Sequence, residues 1–124
     1  MLFEILSDLV KIDDILFIIK NSSATSEIRS NSLHIKQRED WITIGGNEDP
    51  AHMHIKLQTI KTIEFIQEEK PERTSFSVRF FDIHGDRVLA AFFTKMYDDK
   101  HILNISRKKT FDDLFQRYGP LIQL

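Results

Sequence analysis

The 124-residue chain contains no cysteine, which excludes disulfide bonds, thiolate metal sites and thiol-based catalysis. It contains only four glycines and three prolines, and no segment of it is of low complexity. No charge of one sign dominates, because 17 basic and 19 acidic residues leave a formal net charge of −2. Such a balance creates no field that would gather nucleic acid or anionic lipid, so we expect neither as a partner.

Long hydrophobic runs are also absent near the N-terminus. The longest apolar run there extends from Ile15 to Ile19, which is far too short to cross a bilayer. Glu4, Asp8 and Asp13 occupy the region where an export signal would need positive charge. These features predict a cytoplasmic protein.

The overall amino-acid composition is that of a folded globular protein. Hydrophobic residues make up 41% of the chain and charged residues 29%, a proportion that argues against disorder. The length suits one hydrophobic core. We therefore predict a single domain over residues 1–124.

The periodicity of the chain predicts helices at both ends and strands between them. Residues 2–11 show helical spacing, and a second helix is predicted from an N-cap at Thr110 to a stop at Gly119. Strands are predicted near 15–20, 27–29, 33–36, 41–44, 52–58, 60–67, 75–83 and 87–94. Residues 96–109 show no clear period. The predicted fold class is α+β, an antiparallel β-sheet with flanking N- and C-terminal helices.

The clearest chemical pattern lies in the predicted strand 52–58. Alternation places His52, His54 and Lys56 on one face and apolar residues on the other. Neutral imidazole is a common ligand of transition metals and of haem iron, so this face suits a ligand site. The alternative interpretation is an ordinary solvated face, because antiparallel sheets often expose one side to water.

The strands at 75–83 and 87–94 are rich in phenylalanine. Phe76 and Phe92 are candidates for the wall of a pocket that binds an apolar macrocycle. The alternative is that these rings are simply part of the core. His84, at the turn between the two strands, is expected to face solvent.

Several stretches together resemble the bacterial haem-utilisation family of HemS/ChuX type. They are Trp41-Ile42-Thr43-Ile44 before a loop of glycine and acidic residues, His54-Ile55-Lys56-Leu57, and Val78–Arg87 with its Phe-Asp-x-x-Gly-Asp turn. The similarity covers roughly residues 2–95 and resumes at the C-terminal helix. The turn is a structural signature, and none of these motifs by itself denotes haem binding.

The resemblance implies a fold, a cofactor and an assembly. Members of the family have an antiparallel sheet flanked by helices, bind haem taken up by bacteria, and act as intracellular carriers or as haem-degrading enzymes. Some carry two copies of the unit in one chain, whereas others carry one copy and form a homodimer. This chain then corresponds to a HemS/ChuX-like half-unit, and the resemblance implies a two-fold dimer.

The resemblance also implies roles for particular residues. His54 falls where single-copy carriers place a histidine proposed as a ligand of the haem iron. The partner histidine of those carriers falls at Lys20, and the region of the axial histidine of the tandem enzymes falls at Ser26-Glu27-Ile28-Arg29. His52 or His34 is a possible substitute ligand. The residues expected to neutralise haem propionates are Lys20, Arg29 and Lys56.

From the resemblance we predict a haem-binding protein of bacterial iron and haem utilisation, an intracellular carrier rather than an enzyme. Two alternatives stay open. One is a non-catalytic ligand- or protein-binding module that kept the fold and lost haem. The other is a haem-degrading enzyme.

Overall fold

The computed structural model describes residues 1–46 and 48–124. Its elements in chain order are α1 Leu2–Val10, β1 Ile15–Lys20, β2 Thr25–Arg29, β3 Ile35–Arg38, β4 Trp41–Ile44, β5 Met53–Lys56, β6 Thr62–Glu69, β7 Thr74–Phe81, β8 Arg87–Phe93, α2 Ile105–Tyr118 and β9 Leu121–Gln123. The predicted α+β class, with helices flanking antiparallel strands, is confirmed. The first helix and most strands lie close to their predicted positions.

The strands form two sheets rather than one. A six-stranded sheet has the order β2-β1-β8-β7-β6-β9, and a three-stranded sheet has the order β3-β4-β5. The pairs within both sheets are antiparallel. The small sheet is a local meander, whereas the large sheet joins distant parts of the chain. β9, which the sequence pattern does not predict, extends the large sheet by pairing with β6.

Each sheet has one face in a hydrophobic core shared with the helices. α1 contributes Leu2, Ile5, Leu6, Leu9 and Val10, whose spacing places them on one side of the helix. Alternate residues of the strands complete the core, for example Ile42 and Ile44 in β4 and Ile15 and Phe17 in β1. The intervening residues therefore face outward, and these outward faces carry the candidate site.

The second helix begins six residues earlier than predicted. The N-cap is Asn104, whose side-chain oxygen accepts a hydrogen bond from the backbone N–H of Arg107, so the predicted cap at Thr110 is wrong. The predicted stop is confirmed, since α2 ends at Tyr118 and Gly119 follows it.

α2 packs on the inner face of the large sheet through several aromatic rings, of which Phe111 is the most deeply buried. Phe111 is fully buried, and its ring centroid lies 5.3 Å from those of Phe76 and Phe93 and 6.1 Å from that of Phe65. These partners come from β7, β8 and β6, respectively. Within the two described ranges, no helix is long and apolar enough to cross a membrane.

Candidate functional site

The outward face of the three-stranded sheet gathers aromatic, imidazole and cationic side chains. Strand register aligns Lys36, Thr43 and His54 in one row across the sheet. It aligns Arg38, Trp41 and Lys56 in the next row. Because side chains two residues apart share a face, both rows lie on the same surface. We call this surface, together with His52 just before β5, the histidine face.

The two imidazoles predicted to lie together do so. The ring centroids of His52 and His54 are 5.4 Å apart, with the rings tilted by 65° in an edge-to-face arrangement. The hydroxyl of Thr43 lies 2.8 Å from Nδ1 of His54. When Nδ1 carries the proton and donates it to this hydroxyl, Nε2 presents its lone pair to a ligand.

A cavity of about 270 Å³ opens on the histidine face and is lined by Lys36, Arg38, Glu39, Trp41, Thr43, Gly45, Gly46, His52 and His54. The indole of Trp41 is 45% exposed, which gives the cavity a flat apolar wall that solvent can reach. Lys56 is exposed in the row that contains Trp41. The face therefore offers imidazole nitrogens, a flat wall and three cationic groups within one sheet surface.

Gly45 brings the loop after β4 close to the start of β5. Its φ of +87° lies in the left-handed region, and a Cβ atom there would lie 2.1 Å from the carbonyl oxygen of Ala51. Only glycine tolerates that approach. On the other side, the N–H of Gly45 donates a 2.6 Å hydrogen bond to the carbonyl of His34. The backbone that precedes His52 is thus held against β4.

Sequence reasoning missed Trp41, Thr43, Lys36 and Arg38 as members of this face. A signal for the first two was present, because Ile42 and Ile44 are the apolar members of an alternating strand and leave Trp41 and Thr43 outward. Their proximity to His54, however, depends on the register between strands. That register is not visible in any one strand.

Two of the predicted site residues, Lys20 and Arg29, lie elsewhere in the protomer. Both belong to the edge ladder of the six-stranded sheet, where Lys20 pairs with Thr25 at one end and Arg29 pairs with Leu16 at the other. Both are exposed. A single protomer therefore does not bring them to the histidine face.

Arg29 instead lines a second cavity of about 390 Å³, which we call the basic cavity. Its lining residues are Arg29, Lys70, Arg73, Thr74, Ser75, Phe92, Phe93, Thr94, Lys95, Met96 and Tyr97. Phe92 thus reaches a cavity wall, whereas Phe76 is 2% exposed and belongs to the core beneath α2. His84 is exposed at the β7–β8 turn, as expected.

Solved structures of several proteins share this arrangement of elements. The crystal structure of ChuX matches with a TM-score of 0.78 at 17% identity, covering 92% of this chain and 69% of ChuX. A protein from Agrobacterium tumefaciens matches with a TM-score of 0.74 at 22% identity, covering 92% of this chain and 64% of that protein. Holo-PhuS, a haem-binding protein from Pseudomonas aeruginosa, matches with a TM-score of 0.71 at 13% identity, covering 90% of this chain and 31% of PhuS.

These matches define the class of the fold, a ChuX-like α+β domain that spans about a third of the length of PhuS. A family model matches residues 3–119, which is most of the chain. The chain belongs to the ChuX-type haem-utilisation family. No curated protein sequence matches it significantly.

Proposed function

We propose that this protein binds haem on the histidine face and acts as a cytoplasmic carrier in bacterial haem utilisation. The observation that carries the proposal is the placement of His54. Its Nδ1 contacts the Thr43 hydroxyl, and it lies on the same face as an exposed indole and three cationic side chains. ChuX and PhuS, which share the fold, are named as haem-binding proteins, which supports the proposal.

The donor set favours haem over a bare metal ion. A protein site for a bare transition-metal ion usually has three or more side-chain ligands. The part of the chain that the structure describes contains no cluster of three or more histidine, aspartate or glutamate side chains that could hold an ion. Haem iron takes four ligands from the porphyrin, so one or two axial imidazoles are sufficient.

We assign His54 as the axial ligand and His52 as the neighbouring imidazole available on the same face. Trp41 supplies a flat surface for the macrocycle. Lys36, Arg38 and Lys56 neutralise the two propionates. Lys20 and Arg29 take part only if the haem also contacts the six-stranded sheet, for example that of a second copy.

The size of the cavity supports an assembly of two copies. Its volume of about 270 Å³ lies just below the range of small-molecule sites, which typically enclose roughly 300–1,000 Å³. One protomer thus covers only part of a haem. We propose that the protein forms a homodimer, as the resemblance to single-copy members implies.

The test is a titration of the purified protein with haemin, followed through the Soret band. Wild type should give a saturable, shifted band. His54→Ala should weaken binding at least tenfold and change the band, because the axial nitrogen is lost. His84→Ala removes an exposed imidazole from the β7–β8 turn and should behave as wild type. An unchanged band in His54→Ala would refute the ligand assignment.

A second candidate is a binding module that kept the fold and lost haem. The observation that favours it is Lys20, an exposed lysine at the position where the resemblance places a second histidine. Lysine ligates iron only after deprotonation, which is costly for an exposed ammonium. This candidate predicts that wild type shifts the Soret band no more than an unrelated protein does.

Consumption of bound haem with a reductant and O₂ would instead indicate a haem-degrading enzyme.

A further inference from the structure

His52 and His54 form a close pair of exposed imidazoles on one side of a strand. His52 precedes β5 and His54 belongs to it, while Met53 between them is buried. Residues two apart on an extended strand share a face, with Cβ atoms about 6.5–7 Å apart. The two ring centroids are only 5.4 Å apart, so the rings converge above the backbone. A pair of this kind can bind one metal ion through two nitrogens.

The separation of the rings is close to that of a metal chelate. Imidazole nitrogen binds zinc and similar divalent ions at roughly 2.0–2.1 Å. Two imidazoles on one ion, with about 90–110° between their bonds to it, therefore have ring centres about 4.5–5.2 Å apart. The observed 5.4 Å is slightly longer, and rotation about the side-chain bonds closes the difference. A shared ion fixes this separation but not the tilt between the rings.

Neighbouring groups of β4 and its loop hold both imidazoles in place. The hydroxyl of Thr43 lies 2.8 Å from Nδ1 of His54, and when Nδ1 donates its proton to this oxygen, Nε2 carries the lone pair. A polar partner on the second ring nitrogen is the usual arrangement for a histidine that binds a metal. The backbone of Gly45 lies against that of His52, since a Cβ atom on Gly45 would be 2.8 Å from the Cα atom of His52.

The surroundings indicate a two-ligand site that water completes. The part of the chain that the structure describes has no cluster of three or more histidine, aspartate or glutamate side chains that could hold an ion. Because both imidazoles are exposed, water reaches the remaining coordination positions. Lys36, Arg38 and Lys56 lie on the same face, and their charges oppose a divalent cation. Copper(II) binds nitrogen donors more tightly than the other divalent first-row ions do, so it is best able to bind there.

We propose that His52 and His54 chelate one divalent transition-metal ion, copper(II) in preference to nickel(II) or zinc(II), when the histidine face holds no haem. The chelation itself does not depend on the proposed function. Its effect on haem does rest on that function: both ligands use Nε2 of His54, so the ion and haem exclude each other. Lys56 acts on the two ligands in opposite directions, because its charge attracts a propionate and repels a metal ion.

Calorimetric titration of the full chain with copper(II) chloride tests the chelate. Wild type should bind one equivalent with saturation, and nickel(II) and zinc(II) should bind more weakly. His52→Ala and His54→Ala should each weaken copper(II) binding at least tenfold, because one imidazole then replaces a chelating pair. His84→Ala, which removes an exposed imidazole from the β7–β8 turn, should bind as wild type does. Wild-type affinity in His52→Ala would overturn the proposal.

Lys56→Gln tests the location of the ion without removing either imidazole. Its side chain is exposed, so the fold should be unaffected. Loss of the charge should tighten copper(II) binding and weaken haemin binding. Weaker copper(II) binding in this variant would contradict the assignment of the ion to the histidine face.

Competition between haemin and copper(II) separates the chelate from the proposed function. Copper(II) should reduce the apparent affinity of wild type for haemin, and haemin that binds equally well with copper(II) present would refute the shared position. Saturable copper(II) binding that needs both His52 and His54, in a protein that binds no haemin, would support the chelate and refute the proposed function. Haemin binding without any copper(II) binding would refute the chelate alone.

Discussion

Asp14 joins three parts of the molecule by an ion pair and hydrogen bonds. Its carboxylate faces Lys95 after β8 and Asn31 after β2, while its carbonyl accepts hydrogen bonds from Thr94 and from Arg107 in α2. Partial burial alone would raise the pKa of the carboxyl. The hydrogen bond and charge of Lys95, with contributions from Asn31 and Arg107, outweigh that effect and hold the pKa below its usual value.

Asp14→Asn should therefore reduce stability in a pH-dependent way. Because the folded-state pKa is lowered, the ionised carboxylate stabilises the fold above its unfolded pKa of 3.8, and this contribution is lost as the pH falls through the folded value. We expect a loss of about 0.5 kcal/mol at pH 6, typical of exposed ion pairs, and a smaller difference at pH 3. Urea unfolding at both pH values measures this.

Asp99→Asn, in an exposed turn, is the control and should change stability little at either pH. A loss in Asp14→Asn that is the same at pH 3 and pH 6 would contradict the assigned role of the charge.

The sequence predicted the position of a side chain correctly where the alternation of polar and apolar residues lay within one strand. His52 and His54 were placed on one face by alternation within a single segment. Trp41 and Thr43 were missed because their proximity to His54 arises from the register of β4 against β5. Side chains of one strand can be assigned to a face from sequence, whereas their neighbours on the next strand depend on pairing.

At the scale of elements, α2 depends on few buried contacts. Only Phe111 and Leu114 among its residues are buried, although the helix extends from Ile105 to Tyr118. Phe111 contacts rings from three strands, so it joins α2 to the large sheet. The first half of the helix is polar or exposed and contributes little to that packing.

Phe111→Ala should destabilise the protein by about 3–5 kcal/mol, the usual cost of removing a buried phenylalanine ring from a core. Phe115→Ala, which truncates a half-buried ring in the same helix, should cost clearly less. The free energies of unfolding of both variants can be compared by urea denaturation. Equal costs would mean that Phe111 is not the main contact between α2 and the sheet.

The composition of this helix also explains why its start was mispredicted. Hydrophobic periodicity is the main helix signal in a sequence, and it begins only at Phe111. Asn104 caps the helix before that apolar stripe, with Ile105 exposed in the first turn. The Gly119 stop was predicted correctly, but its backbone is extended rather than left-handed, and a Cβ atom there would lie 3.2 Å from the Phe65 ring.

At the scale of the whole molecule, the outer face of the six-stranded sheet is partly apolar. Leu16 and Ile18 of β1 face outward beside Phe92 and Ala90 of β8. Leu16, Ile18 and Phe92 are only half-buried in a single chain. An apolar sheet face of this kind can pair with the same face of a second copy across a two-fold axis.

If the proposed homodimer forms through this face, Ile18→Lys should convert it to a monomer. Glu27 lies opposite residue 18 on β2, so the new lysine can pair with it and the protomer should stay folded. Light scattering after size exclusion should give twice the chain mass for wild type and for Ile18→Val, and one chain mass for Ile18→Lys. A dimeric, folded Ile18→Lys would exclude this face as the interface.

The division of the strands into two sheets was not predictable from the pattern. Each strand shows the same alternation whichever sheet it joins, and partner choice depends on contacts between distant segments such as β1 and β8. The overall α+β class was predictable because it needs only the order and type of elements. The histidine face was therefore anticipated from β5 alone, whereas its extent across β3 and β4 was not.

Trp41 is the only tryptophan in the chain, and it lies on the histidine face. The indole emission of the protein therefore comes from one position, 45% exposed, beside the proposed axial ligand. Haem absorbs strongly where indole emits, so a haem on this face quenches the emission by energy transfer. The chain thus carries its own optical probe for occupancy of the histidine face.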